Sequence, residues 1–340
     1  MRPRSRPRSP AGRCRRGGRS LGPNPYVFVV GCPRSGTTLL QRMLDAHPLL
    51  AVSNDPHFIP FAPGVTAGLD PPVTPQLVEW LLGYRTFARL GLDEGTLREA
   101  AAGASTYCEL VAALYDAFGK ARGKPLAGEK TPRYVRYLPL LHSLFPHARV
   151  VHLLRDGRDV ALSTLEWARA DRGPGRFSLW RQNPLAVCAL SWRWHVTTGM
   201  RDAAALGDLY SEIRYEDVVA EPEPAMRRVG EALALPFAAE MLEFHSGRTR
   251  AEPGLSAKDA WLPPTPGLRD WRAQLSPDAL ELFEALAGDL LELLGYERAV
   301  AEISPETEAR AARYREAWES ELRERGKVPV DTRSVTVPDR

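Results

Sequence analysis

The chain has 340 residues, of which 44 % are hydrophobic and 26 % charged, with a formal net charge of +3. That length and composition allow one large domain or two small ones with a sizeable core, and no apolar run reaches the ~20 residues that a membrane helix needs. Eight arginines and no acidic residue fall within residues 1–25, so the rest of the chain is net −5 and only the tail could meet nucleic acid or anionic lipid by charge.

Residues 1–24, rich in Pro, Arg, Ser and Gly, have almost nothing to bury and read as a disordered basic tail. They lack the apolar segment of a secretory signal. An apolar run from Tyr26 to Val30 then predicts a buried strand, and Leu39, Leu40, Met43 and Leu44 predict a helix after it. The stretch from His47 to Gly64 reads as a short strand followed by an irregular segment. Residues 75–120 read as helices within an insertion over 60–120, taken to lie on the acceptor side. The stretch from Leu126 to Lys130 reads as a turn or short strand, with a helix from about Tyr134 to Leu144. The segment Ala148–Leu154 is a continuous apolar run closed by Arg155-Asp156, the pattern of a buried parallel strand. Helices are expected over 157–170 and 185–206, with a loop at 172–184 between them. A strand then ends in the polar run Arg214-Tyr215-Glu216-Asp217. Further helices are expected from Pro222, over 277–294 and over about 304–325, with a Pro-rich loop at 254–272. Strands alternating with helices predict an α/β fold of P-loop type: a parallel sheet with helices on both faces, forming one domain over 25–298, followed by a C-terminal helix and tail over 299–340. In such sheets ligands bind beyond the carboxyl ends of the strands.

The sequence Gly31-Cys32-Pro33-Arg34-Ser35-Gly36-Thr37-Thr38 sits between the first strand and helix and has the glycine spacing of a phosphate-binding loop. Thr37 stands where such a loop carries lysine, and Arg34 lies inside it. Backbone N–H groups at a helix start, two hydroxyls and a guanidinium make an anion cradle. Without the lysine that grips β- and γ-phosphates, the loop suits a ligand with one 5′-phosphate better than a metal-bound triphosphate. Lysine is scarce, five residues against forty arginines, so Lys130 inside Gly128-Glu129-Lys130-Thr131-Pro132 stands out.

The run from Gly31 to Pro48 resembles the 5′-phosphosulfate loop of sulfotransferases that use 3′-phosphoadenosine 5′-phosphosulfate (PAPS). The run from Val151 to Ser163 resembles their 3′-phosphate motif. Bacterial sulfotransferases and the tyrosylprotein sulfotransferase branch are the most similar by motif, over roughly residues 26–295. The resemblance implies that Arg34, Ser35, Gly36, Thr37 and Thr38 hold the 5′-phosphate and the departing sulfuryl oxygens. It implies that Arg155 and Ser163 hold the 3′-phosphate and that Tyr215 lies near the adenine. It assigns Lys130, with Arg34, to the charge that builds on the leaving phosphate. A carboxylate one strand after the first helix is the expected base. Here that position is Asp55, one methylene shorter than the usual Glu, with His57 as the rival base. Asp55 also precedes Pro56, where Asp commonly closes a turn. Lys258 and Arg269, in the late loop, are candidates for contact with a phosphate or the acceptor.

The resulting expectation is a cytoplasmic enzyme moving a sulfuryl group from PAPS to a hydroxyl or amine, with PAP as product and no metal. Its acceptor is a small molecule, glycan or peptide. No specific nucleic-acid partner or membrane span is expected, and the oligomeric state is open. The cysteines Cys14, Cys32, Cys108 and Cys188 form no C-x-x-C, which fits a reducing compartment and gives no zinc or redox motif. His142, His147, His152, His195 and His245 lack metal-ligand spacing. Two other readings stand beside this one. An unconventional P-loop kinase or nucleotide hydrolase needs a Mg²⁺ carboxylate at a strand end, for which only Asp156 is available. A catalytically silent nucleotide-binding protein has no need of Lys130.

Overall fold

The computed structural model describes residues 24–66, 68–168, 177–246, 263–265 and 267–327. Most of the basic tail and Lys258 lie outside them. Five strands, β1 (Val27–Gly31), β2 (Leu50–Asn54), β3 (Leu126–Lys130), β4 (Arg149–Leu154) and β5 (Tyr210–Arg214), form one sheet in the order β2-β3-β1-β4-β5. Every pairing is parallel. Helix α1 (Thr37–Asp45) joins β1 to β2. Between β2 and β3 lie α2 (Pro75–Gly83), α3 (Glu94–Ala102) and α4 (Tyr107–Lys120), and α5 (Leu138–Leu144) precedes β4. Helices α6 (Gly157–Ala168) and α7 (Pro184–Ala203) lead to β5. After it come α8 (Tyr215–Ala220), α9 (Pro222–Leu233), α10 (Trp271–Gln274), α11 (Pro277–Leu293) and α12 (Pro305–Glu324).

The alternation of β1 sends its side chains to two different cores. Phe28 and Val30 join the cluster that includes Leu81, Leu110, Leu114, Phe118 and Leu141, so the helical insertion covers one face. Val27 and Val29 join Leu40, Met43, Leu44, Met226 and Val229 on the other face. A third cluster is built by α6, α7, α11 and α12, in which Trp192, Leu286, Leu290, Trp318 and Leu322 are buried. The C-terminal helix is therefore packed into the body. Side-chain caps start many of these helices. At α4, Thr106 accepts from the Glu109 N–H while the Glu109 side chain returns to the Thr106 N–H, satisfying two otherwise orphaned donors.

Of the turn or short strand expected at Leu126–Lys130, the strand forms, in the sheet interior between β2 and β1. Gly128 allows this, because a Cβ there would come within 2.5 Å of Val27. The polar run after Arg214 is helix, not strand end: α8 starts at Tyr215, with Glu216 and Asp217 in its first turn where the helix dipole favours acids. The expected helix from Tyr134 is divided, with a 3₁₀ segment Pro132–Arg136 before α5.

Candidate functional site

β1 lies between β3 and β4, so the chain connections diverge on either side of it and a crevice opens at the carboxyl ends of the strands. The loop after β1, Asp55 after β2, Lys130 at the end of β3, Arg155 after β4 and Tyr215 after β5 all fall at this edge.

The loop turns into α1 through Gly36, whose φ of 95° is left-handed and which supplies no side-chain cap. A Cβ at Gly36 would also sit 2.4 Å from the Tyr215 ring, so glycine is required twice over. Arg34 adopts φ 78°, a conformation rare outside glycine. Its Nε donates to Ser163 Oγ at 3.2 Å, joining the first loop to α6. Arg155 lies with its guanidinium 4.0 Å from the Tyr215 ring centroid. Arg34, Gly36, Arg155, Ser163 and Tyr215, spread over 181 positions of sequence, therefore form one continuous wall. Within it Ser35 Oγ and Arg155 Nε are buried with no hydrogen-bond partner. Burial of an unpaired polar group is costly, and both atoms suit an anion's oxygens.

Arg155 Nη2 lies 3.5 Å from Asp159 Oδ2. Burial pushes the Asp159 carboxyl up to about 6, against the opposing pull of Arg155. The neighbouring Asp156 is committed elsewhere. It accepts from Arg158 N at 2.9 Å, Nε at 3.0 Å and Nη2 at 2.7 Å, and Arg158 also binds Glu284. The one strand-end carboxylate suggested for Mg²⁺ is thus part of a buried ion-pair network. Cys32 is no nucleophile, since burial pushes its thiol up to about 12.

The second half of the site answers where the missing loop lysine went. Lys130, only 1 % exposed, reaches Thr38 Oγ1 at 3.3 Å from the neighbouring strand. Its Nζ also donates to Asp55 Oδ2 at 2.6 Å. His57 Nε2 lies 3.5 Å from the other carboxylate oxygen. Burial pushes the Asp55 carboxyl up, but Lys130 and His57 outweigh it and hold it well below the usual carboxylate range. Burial draws the Lys130 ammonium down, with Asp55 opposing.

Asp55 and His57 both have left-handed backbone, φ 57° and 62°. One segment of the insertion holds them there. Arg89 Nη1 donates to the Asp55 carbonyl at 2.7 Å, Thr86 Oγ1 to the Pro56 carbonyl at 2.5 Å, and Tyr84 Oη to the His57 carbonyl at 3.0 Å. Sequence reasoning missed these three residues, and no motif marks them, because their partners are backbone atoms. Arg269, expected to meet a ligand, is paired with Glu166 on α6. Among the described residues, no group of three His, Cys, Asp or Glu side chains is arranged to hold a metal ion.

The family model described as the sulfotransferase family matches residues 25–239, which contain every residue of this site. Protein-tyrosine sulfotransferase A of Caenorhabditis elegans is 26 % identical over 218 residues, covering 63 % of this chain and 51 % of its own. Nodulation protein NoeE of Sinorhizobium fredii is 28 % identical over 327 residues, covering 83 % of this chain and 68 % of its own. The chain spans a quarter to about half of the first curated relatives it matches, 26 %, 51 % and 54 %. Among solved structures, the sulfotransferase domain of the Synechococcus PCC 7002 olefin synthase superposes with a TM-score of 0.59 at 24 % identity, covering 81 % of this chain and 96 % of that one. That likeness carries the fold.

Proposed function

The chain belongs to the sulfotransferase family, and on that premise we propose that it transfers a sulfuryl group from PAPS to a hydroxyl or amine acceptor by in-line displacement. The observation that carries this reading is the placement of Lys130. A single buried cation from β3 touches both the hydroxyl of the phosphate-type loop and a strand-end carboxylate. That arrangement joins charge stabilisation and base in one place, and a triphosphate-binding loop has no use for it.

PAPS, when bound, supplies the activated sulfuryl group. The α1 N-terminus, Ser35, Thr37 and Thr38 hold the 5′-phosphate end, and the unpartnered Ser35 Oγ supports this fit. Arg155 and Ser163 hold the 3′-phosphate through a charge-assisted fork and a hydroxyl. The unpartnered Arg155 Nε supports that. Tyr215, already against Arg155, offers a face beside the adenine.

Lys130 and Arg34 stabilise the negative charge that develops as the bond to sulfur breaks, a preorganised effect worth several kcal/mol. Asp55 takes the acceptor's proton at Oδ1, which has no close hydrogen-bond partner, while Oδ2 faces Lys130. Paired with Lys130, the carboxylate is ionised but weakly basic. As the Lys130 charge is drawn toward the leaving phosphate, the pair loosens and Asp55 gains basicity when the proton must move. His57 Nε2 lies 3.5 Å from that same Oδ1, at the edge of the site where the proton is taken. We further propose that the protein works in the cytoplasm. Cys32 and Cys188 are buried free thiols, which supports a reducing compartment.

The test is calorimetric binding of PAP, adenosine 5′-monophosphate and ATP–Mg²⁺ to the full chain. PAP should bind at least tenfold more tightly than the monophosphate, because each charged hydrogen bond to the 3′-phosphate is worth roughly 1.5–3 kcal/mol. Tighter binding of ATP–Mg²⁺ than of PAP overturns the reading in favour of a kinase or hydrolase.

A further inference from the structure

Arg155, the residue assigned to the 3′-phosphate, sits one position past β4 with a buried side chain. Arginine is long, and its charge-assisted bonds depend on where the guanidinium is held. The peptide unit that follows it is fixed at both polar atoms. The Arg155 carbonyl accepts from the Trp192 indole Nε1–H at 3.1 Å, and the next amide, Asp156 N–H, donates to Glu216 Oε1 at 2.9 Å. That carbonyl and that amide belong to one peptide plane, so a ring from α7 and a carboxylate from α8 hold it together. Gly157 admits the ring, because a Cβ there would lie 2.4 Å from the buried Trp192 indole.

Glu216 directly follows Tyr215, whose ring lies against the Arg155 guanidinium. Its other oxygen, Oε2, accepts from Tyr296 Oη at 3.1 Å. Tyr296 is buried just past α11, and its ring centroid lies 4.1 Å from the Arg214 guanidinium, which donates to the Leu294 carbonyl at 2.7 Å. A second path reaches the same turn from α11, where Glu284 pairs with Arg158 and Arg158 with the Asp156 carboxylate. Glu284 and Tyr296 lie beyond residues 25–239, which the family model matches, yet each reaches Asp156 through one intermediary side chain. Both paths act on the turn from which Arg155 projects.

We propose that Glu216, braced by Tyr296, is a positioning residue for 3′-phosphate recognition, an inference that rests on the PAPS reading. It acts through Arg155. With the Asp156 N–H released, the peptide is free to rotate, and the guanidinium must be re-ordered whenever a 3′-phosphate binds.

The test is calorimetric titration of PAP and adenosine 5′-monophosphate into the full chain, because the ratio of their affinities isolates the 3′-phosphate from the adenine and the 5′-phosphate. Glu216→Ala should lower that ratio about three- to tenfold, the scale of re-ordering one long side chain. Glu216→Gln keeps an acceptor for the Asp156 N–H and should keep the ratio. Tyr296→Phe, which loses only a hydroxyl, should lower it about twofold. In the Arg155→Ala background, Glu216→Ala should change the ratio no further, since a residue acting through another has nothing left to position. A purely structural role would lower Tm and weaken both ligands equally. An unchanged ratio in folded Glu216→Ala therefore overturns the proposal, as does a further fall in the Arg155→Ala background. A raised ratio in both Glu216→Ala and Glu216→Gln overturns it too, marking Glu216 as a charge that repels the phosphate. An unchanged ratio in Tyr296→Phe overturns the brace from the C-terminal segment. If the wild-type chain itself binds PAP no more tightly than the monophosphate, the donor reading falls and this proposal with it.

Discussion

Replacing Lys130 by Met removes the charge at the centre of the site and nearly keeps the side chain's volume. Lys130 is 1 % exposed and the Asp55 side chain 14 %, with 2.6 Å between Nζ and Oδ2. Breaking such a buried pair from one side strands the other charge, which costs about 3–5 kcal/mol. For a chain of this size that corresponds to a fall in Tm on the order of 5–10 °C at neutral pH. The pH dependence has a definite sign. In the native protein the Asp55 carboxyl is held below its ordinary value, so its contribution is present above the unfolded value of about 3.9 and is lost as pH falls through the lower native value. Without Lys130, burial outweighs what remains and the carboxyl rises, so the variant regains stability as pH falls and Asp55 is neutralised. The gap between wild type and Lys130→Met should therefore be widest near neutrality, narrow toward about pH 4 as the variant's Asp55 is neutralised, and close only as pH falls through the lower native value. Lys130→Met/Asp55→Asn leaves no stranded charge and should recover most of the loss. Urea denaturation of the three proteins across this pH range measures all of this. A single variant within about 1 kcal/mol of wild type at neutral pH, or a double variant no more stable than the single, would refute the reasoning.

Arg155→Ala should weaken PAP by about ten- to hundredfold and adenosine 5′-phosphosulfate, which lacks the 3′-phosphate, hardly at all; equal calorimetric losses for both would remove Arg155 from 3′-phosphate recognition. Asp159→Asn should tighten PAP binding above about pH 6, where the native Asp159 carboxylate competes for Arg155, and the two proteins should converge below that pH; a constant difference across pH would contradict the competition. Arg89→Ala should free the Asp55 carbonyl and lower kcat about tenfold or more while leaving the Kd for PAP unchanged. A parallel loss of PAP affinity would show that Arg89 supports the fold rather than the turn.

Much of this could be read from the chain, and the limits have physical causes. The strand-loop-helix around Gly31–Thr38 and the run Ala148–Asp156 were legible because buried parallel strands are continuous apolar runs and the loop needs glycine at fixed positions. Strand β3 was legible only as a turn or short strand, since Leu-Ala-Gly-Glu-Lys has no β-branched residue and owes its interior place to close packing of Gly128 on Val27. The start of α8 was hidden because Tyr215-Glu216-Asp217 follows the strand without a break. The residues carrying Lys130, Asp55, Arg34 and Arg155 were identifiable by motif, but the contact of Lys130 with both Thr38 and Asp55 required the β2-β3-β1 order. The clamp of Tyr84, Thr86 and Arg89 and the hold of Glu216 on the Asp156 N–H had no sequence signal. The first acts on backbone carbonyls, and the second on a backbone amide.

The most direct test of the central claim is PAPS turnover by the full chain against a panel of phenols, alcohols, amines and hydroxylated acids, followed by PAP release and mass analysis of the products. The account predicts acceptor-dependent PAP release with a sulfated product, abolished in Lys130→Met. PAPS left intact across the panel by a protein that binds PAP tightly would contradict it and mark the chain as a catalytically silent nucleotide-binding protein.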